Sequence, residues 1–271
     1  MTATHQRTTQ PAGQLGRVSR DGTRRRPAAP ALVLVAHGSR DPRALATVRA
    51  LIDRVREQRP GLSVHLGHIE LNEPLLPDTL AALGDREAVL VPLLLSRGYH
   101  VKQDIPEMAA AAEARTRVAA PLGPHPLLVE TLHTRLVEAG WRTGTNERAA
   151  VVLAAAGSRD PEAAVDAGRT AALLADRLGV PVVNAYASAA APTVHEAVRS
   201  LTASGHHRIA VASYFTAPGR FATECANAAP RIAAAPLGAH PAMARLVLHR
   251  YDEAMATPGT IVQRALAGAP L

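Results

Sequence analysis

Lysine and cysteine are almost missing: Lys102 and Cys225 are the only ones among 271 residues. A single thiol cannot build an intramolecular disulfide framework, so a reducing, cytoplasmic setting is expected. No motif surrounds Cys225, which reads as a buried bystander. Aromatic residues make up just 3% of the chain, and no basic stripe interleaved with them speaks for nucleic-acid binding. No apolar run comes near the roughly 20 residues of a membrane span. Neither nucleic acid nor membrane is therefore expected as a partner. Gly-x-Ser-x-Gly and His-Glu-x-x-His are also lacking, which argues against a metal-dependent or serine hydrolase.

What is there can form a core. Hydrophobic residues reach 47%, which is not a disordered composition. The formal net charge of +7 is mostly local, because residues 1–30 hold six arginines against one acid, Asp21. Without a hydrophobic period, that stretch reads as a disordered basic tail. It lacks the apolar centre of a secretory signal. An Ala- and Arg-rich bias runs through the whole chain and accounts for the arginines without an organelle address. Residues 259–271 read as a second tail.

The ordered part opens with ALVLVAHGSRDP, residues 31–42. A short continuous apolar run is the pattern of a strand covered on both faces. Pro42 suits the first turn of a helix. Leu45, Val48, Leu51, Ile52 and Val55 then recur at helical spacing, so the helix packs back on the strand. Further strand-like runs cover 62–69, 88–95 and 118–122, with helical stretches near 75–83, 102–115 and 126–139. Alternation of this kind predicts a parallel sheet with helices on both faces.

The plan then repeats. GSRDP at 38–42 returns at 157–161, and PLGPHP at 121–126 returns as PLGAHP at 236–241. Pro74 matches Pro192, and VPLLLSRGYH (91–100) matches VASYFTAPGR (211–220). A period of roughly 115 to 120 residues is too long for a solenoid unit and indicates a duplicated domain. The expected fold is α/β: two tandem flavodoxin-like, doubly wound domains, 31–147 and 148–258, facing each other across a cleft. Such a chain needs no second copy to form its cleft, so a monomer with two pseudo-symmetric halves is expected. Ligands in open α/β sheets bind beyond the carboxyl ends of the strands.

Duplication also acts as an internal control. His37 follows the first strand, Glu70 ends the second, and His100 lies just past the third. In the second half the matching residues read as Ala156, Ser188 and Arg220. Two imidazoles and a carboxylate at one sheet edge can hold a divalent transition metal. They can equally accept protons near neutral pH. Arg40, Arg97, Lys102 and Arg220 lie near the same edge, where cations could clamp a polycarboxylate. The duplicated Arg40 and Arg159 also fit a turn-fixing role beside Asp41 and Asp160. Tyr99, Tyr186, Tyr214, Phe215 and Phe221 sit near strand ends and could line the pocket of a flat ligand. His125 and His240, each before a proline, read as helix caps.

Together, AHGSRDP, IELNEP and VPLLLSRGYHVKQDIPE resemble the sirohydrochlorin chelatase family, the class II chelatases, in its long duplicated form. The resemblance covers residues 31–255. It implies a chelatase-like fold and insertion of Fe²⁺ or Co²⁺, or Ni²⁺, into sirohydrochlorin without ATP, for siroheme or cobalamin synthesis. The divalent metal would be a substrate, and no organic cofactor is implied. Carried over, the family's catalytic residues fall on His37, Glu70 and His100, with His37 and His100 holding the metal. Substrate contacts would come from Arg40, Arg97, Tyr99, Lys102 and Arg220. One departure is Gln103, where members of the family can carry a further histidine. The alternative is a non-catalytic tetrapyrrole carrier or metal chaperone using the same cleft.

Overall fold

The computed structural model describes residues 29–142, 144 and 148–257. The basic tail and the C-terminal tail read from the sequence lie outside these residues, apart from the tail's last positions, 29 and 30.

The first half runs β1 (Ala31–Ala36), α1 (Pro42–Gln58), β2 (Val64–His68), α2 (Leu76–Leu83), β3 (Ala88–Pro92), α3 (Ile105–Ala111), β4 (Thr116–Val118) and α4 (Pro126–Glu138). The second repeats it as β5 (Ala149–Ala155), α5 (Pro161–Leu178), β6 (Val182–Tyr186), α6 (Val194–Ala203), β7 (Arg208–Tyr214), α7 (Arg220–Asn227), β8 (Ile232–Ala233) and α8 (Pro241–Ala256). Each half forms one parallel sheet, ordered β2-β1-β3-β4 and β6-β5-β7-β8. That is the doubly wound arrangement expected from the alternation of apolar runs. Its strand order changes direction at β1/β3 and β5/β7, so the loops leaving these strands diverge and open a crevice.

Local chemistry explains the element boundaries. Asp41 and Asp160 accept the amide protons of Arg43 and Glu162, capping helices whose first residue is proline. His125 and His240 cap α4 and α8 through Nδ1, which accepts the N–H of Leu127 and Ala242. Gly38 has a φ of +103°, and a Cβ there would lie 1.9 Å from the carbonyl oxygen of Glu70. Gly157 meets Ser188 in the same way, at 1.8 Å. No other residue fits that crossing of backbones.

Packing departs from two domains laid side by side. Helix α4 of the first half packs on β7 of the second, while α8 packs on β3 of the first. Helix α1 lies against α8, where Arg59 makes two hydrogen bonds to Asp252 at 2.5 and 2.7 Å. The main core therefore mixes the halves, with Leu32, Leu34, Val89 and Val91 joined to Leu153, Met243, Leu246 and Val247. Two smaller cores lie on the outer faces: one of Val33, Leu80, Leu90 and Ile105, the other of Val152, Val194, Leu201 and Val211. Boundaries at 147/148 describe the duplication in sequence, but the halves have exchanged their last helices and cohere through one core.

Candidate active site

Both β1 and β5 end on a His/Ala-Gly-Ser turn that faces the crevice. Backbone bonds bring the end of β2 onto the first turn: Ile69 donates to Ala36 at 2.8 Å and Glu70 donates to His37 at 3.0 Å. Leu71 follows with a φ of 67°, a left-handed conformation that costs a branched side chain energy. Asn72 accepts the Ser39 N–H at 2.7 Å and closes the loop. As a result Glu70 Oε1 stands 3.6 Å from Nδ1 of His37.

The third member arrives from β3 through a long loop that ends in one turn of π-helix, His100–Asp104. Such wide turns are frequent at functional sites. His100 meets His37 edge to face, with ring centroids 4.7 Å apart and planes at 89°. Its Nδ1 lies 2.5 Å from Asp104 Oδ2, one turn along the chain. Asp104 is the site residue that sequence reasoning passed over. The signal was present, since His and Asp four apart share a helix face.

The two imidazoles border a cavity of about 700 Å³ between the halves. His37 and His100 line it, together with Arg40, Tyr99 and Arg220. Its far wall is small and apolar, including Ala155, Ala156, Ala163 and Ala167, with Tyr186, Phe215 and Phe221. Tyr99 stands 67% exposed at the mouth. Glu70 is not on the wall; it backs His37. Among the described residues no three His, Cys, Asp or Glu side chains make a metal-holding group. The arrangement is thus a pair of imidazoles with open positions around them, one imidazole next to Glu70 and the other to Asp104.

Two cations read from the sequence as substrate contacts lie elsewhere. Arg97 binds Asp166 through Nε and Nη2 and Glu162 through Nη1, while Lys102 pairs with Asp160 and Glu162. Neither lines the cavity. Acids of the second half engage both, so they are ties between halves rather than free charges at a cleft. Gln103 bonds Glu107 on the next turn of helix.

The match between His100 and Arg220 also shifts by one residue. Leu122 donates to Leu94 as Leu237 donates to Phe215, and Lys102 donates to Gly98 as Thr223 donates to Gly219. Phe221 therefore occupies the place of His100, and Arg220 that of Tyr99. The asymmetry survives, because the second half presents Ala156, Ser188 and Phe221 where the first presents His37, Glu70 and His100.

A family model described as CbiX matches the chain twice, over residues 31–139 and 150–254. The chain belongs to the CbiX family. Its two matched copies coincide with the two sheets. Among relatives of this CbiX chain, a sirohydrochlorin cobaltochelatase of Methanococcus aeolicus is 36% identical over 86 residues, covering 31% of the chain and 60% of the relative. A sirohydrochlorin cobaltochelatase of Priestia megaterium is 28% identical over 201 residues, covering 69% of the chain and 64% of the relative. These matches thus span under two thirds of either relative's length. A sirohydrochlorin ferrochelatase of Bacillus subtilis is 26% identical over 243 residues, or 83% of the chain and 92% of the relative. SirB from Bacillus subtilis with Fe³⁺ shares the fold, with a TM-score of 0.69, 24% identity and coverage of 83% of this chain and 95% of that one.

Proposed function

We propose that this protein inserts a divalent metal, Fe²⁺ or Co²⁺, into sirohydrochlorin without ATP. The observation that carries the reading is the edge-to-face pair His37 and His100 on the wall of a cavity large enough for a flat macrocycle. Relatives named as cobaltochelatases and ferrochelatases support it.

The chemistry follows from what each residue can do. A free-base tetrapyrrole carries two N–H protons that must leave as the metal enters. Neutral imidazoles bind borderline divalent metals while leaving coordination positions open to a second ligand. His37 and His100 hold the metal from one side, and the macrocycle takes it from the other. Glu70, beside His37 but off the cavity wall, accepts one proton relayed by solvent, and the second leaves to solvent through the open mouth. Asp104 fixes the tautomer of His100 by accepting from Nδ1–H, which leaves Nε2 as the lone-pair donor. Apolar small residues and aromatic rings face the macrocycle, and Arg40 and Arg220 meet its carboxylates at the rim. Iron and cobalt are both acceptable to nitrogen donors, so supply decides between them.

The test is anaerobic mixing of protein, sirohydrochlorin and Fe²⁺ or Co²⁺, following loss of the free-base absorbance against the uncatalysed reaction. Acceleration that disappears in His37→Ala and His100→Ala supports the proposal. Tight binding of macrocycle and metal without acceleration would make the protein a carrier.

A further inference from the structure

Past Leu94, which Leu122 of its own half still holds, the loop that delivers His100 is tied chiefly by the other half of the molecule. Tyr214, on β7, donates its hydroxyl proton to the Leu95 carbonyl at 2.9 Å. Asp166, 1% exposed on α5, accepts from the Arg97 backbone N–H at 2.9 Å and from its Nε and Nη2 at 3.0 and 2.7 Å. Glu162 takes the remaining Arg97 nitrogen at 2.6 Å and also Lys102, whose Nζ lies 2.6 Å from Asp160. His100 sits between these two anchored cations in sequence.

The duplication shows that the fold does not require this. At the positions of Arg97 and Lys102 the second half has Pro218 and Thr223; at those of Glu162 and Asp166 the first half has Arg43 and Thr47; Tyr214 is matched by Leu93. Asp160 is matched by Asp41, and both cap their helices, but with Pro218 and Thr223 in place of cations no reverse ion pair can form. The bridge runs one way, from the half that lacks counterparts of His37 and His100 to the loop that carries His100.

We propose that Asp160, Glu162 and Asp166 are positioning residues for His100, and that the second half serves to hold the metal-delivering loop. The physical reason is entropy. Leu93 and Leu94 still bond Val35 and Leu122, but the loop from Leu95 to Tyr99 and the single wide turn after it have no sheet partner, and each freely rotating residue there would spread His100 over many positions relative to His37. A bidentate carboxylate–guanidinium pair fixes direction as well as distance. Asp166 is buried, so that pair is screened less by salt than Lys102, which is half exposed. Gly123 lets the arrangement close, since a Cβ there would lie 2.4 Å from the Leu95 oxygen and 2.5 Å from the Tyr214 hydroxyl.

This inference rests on the proposed metal-handling role of His100, and the test separates the two. The full-length variants are Arg97→Gln, Arg97→Lys and Lys102→Met, with His100→Ala as reference. Three measurements apply: amide hydrogen exchange of residues 96–104, Co²⁺ affinity without tetrapyrrole, and kcat and KM for insertion. Expected for Arg97→Gln are exchange at least tenfold faster in that segment, Co²⁺ affinity and kcat at least fivefold lower, and KM for the tetrapyrrole within twofold of wild type. Arg97→Lys should recover part of each loss, and Lys102→Met should act in the same direction more weakly. Unchanged exchange in Arg97→Gln, or faster exchange with wild-type Co²⁺ affinity and kcat, overturns the proposal. So does a raised KM at constant kcat, which would return both cations to the substrate. If His100→Ala binds Co²⁺ as wild type does, the metal-handling role of His100 fails, and positioning for delivery fails with it. Exchange would still show whether the second half holds the loop.

Discussion

Asp104 Oδ2 lies 2.5 Å from Nδ1 of His100, across a single turn of π-helix. An imidazole held this way presents its other nitrogen in one orientation, and loss of such a partner commonly lowers metal affinity or activity 10- to 100-fold. Asp104→Ala is therefore expected to lower the catalysed insertion rate by about tenfold. His100→Ala and His37→Ala should each lower it at least as much, about 1.4 kcal/mol of barrier or more. The measurement is initial rate of free-base loss at saturating metal. Wild-type rates in all three variants would remove the pair from the chemistry.

How far the sequence revealed this site depends on how far apart the cooperating residues lie. His37, Glu70 and His100 were legible because each follows an apolar run, and parallel strands bring their carboxyl ends to one edge. The i,i+4 pair of His100 and Asp104 was within reach of the same reasoning. Partners of Arg97 and Lys102 stand some 60 residues away on another helix, and nothing local marks a cation as paired rather than free. The slip that set His100 against Arg220 has a similar origin. Val, Leu and Ala fill strands interchangeably, so the register is fixed by the Gly98/Gly219 bend and the Leu94/Phe215 pairing, both read from backbone hydrogen bonds. Exchange of α4 and α8 was hidden for the opposite reason: duplicated helices carry similar apolar faces, and either sheet can accept either one.

The histidine caps predict an acid-sensitive fold. Burial pushes the His125 and His240 pKa values below the ordinary value, with nearby Arg250 and Arg135 adding to the effect. Nδ1 can accept the helix N–H only while unprotonated. A depressed folded-state pKa means that the stabilisation is complete above about pH 6.5, the unfolded value, and is lost as pH falls through the lower folded value. Thermal unfolding should therefore drop between pH 7 and pH 5. A helix cap contributes about 1 kcal/mol, so His125→Asn, which caps without titrating, should recover roughly 2–4 °C of that drop. An equal drop in the variant would mean that other groups cause it.

Cys225 offers a check on the buried face of α7. It is 4% exposed, and burial, with some help from Glu224, pushes its thiol up to about 11. Thiolate is the reacting species, so labelling by an aromatic disulfide reagent at pH 8 should be slow in the native protein and fast in denaturant. Cys225→Ala should leave insertion kinetics unchanged. Rapid native labelling would place α7 in motion relative to β7.

Arg220 and Arg40 provide the last separation of roles. Arg220 lies at the cavity rim, 80% exposed, oriented by Glu224 at 2.8 Å and placed over the Phe221 ring at 5.4 Å. An exposed guanidinium that meets a substrate carboxylate contributes equally to the ground state and the transition state, so its removal raises KM and leaves kcat alone. Arg220→Ala should raise KM for sirohydrochlorin about three- to tenfold, and added salt should narrow the gap because exposed charges are screened over about 10 Å at 0.1 M. Arg40→Ala, on the opposite wall, should behave alike. The contrast with Asp104→Ala, where kcat falls, separates side chains that hold the macrocycle from those that place the metal. A fall in kcat at constant KM for Arg220→Ala would move this residue into the second group.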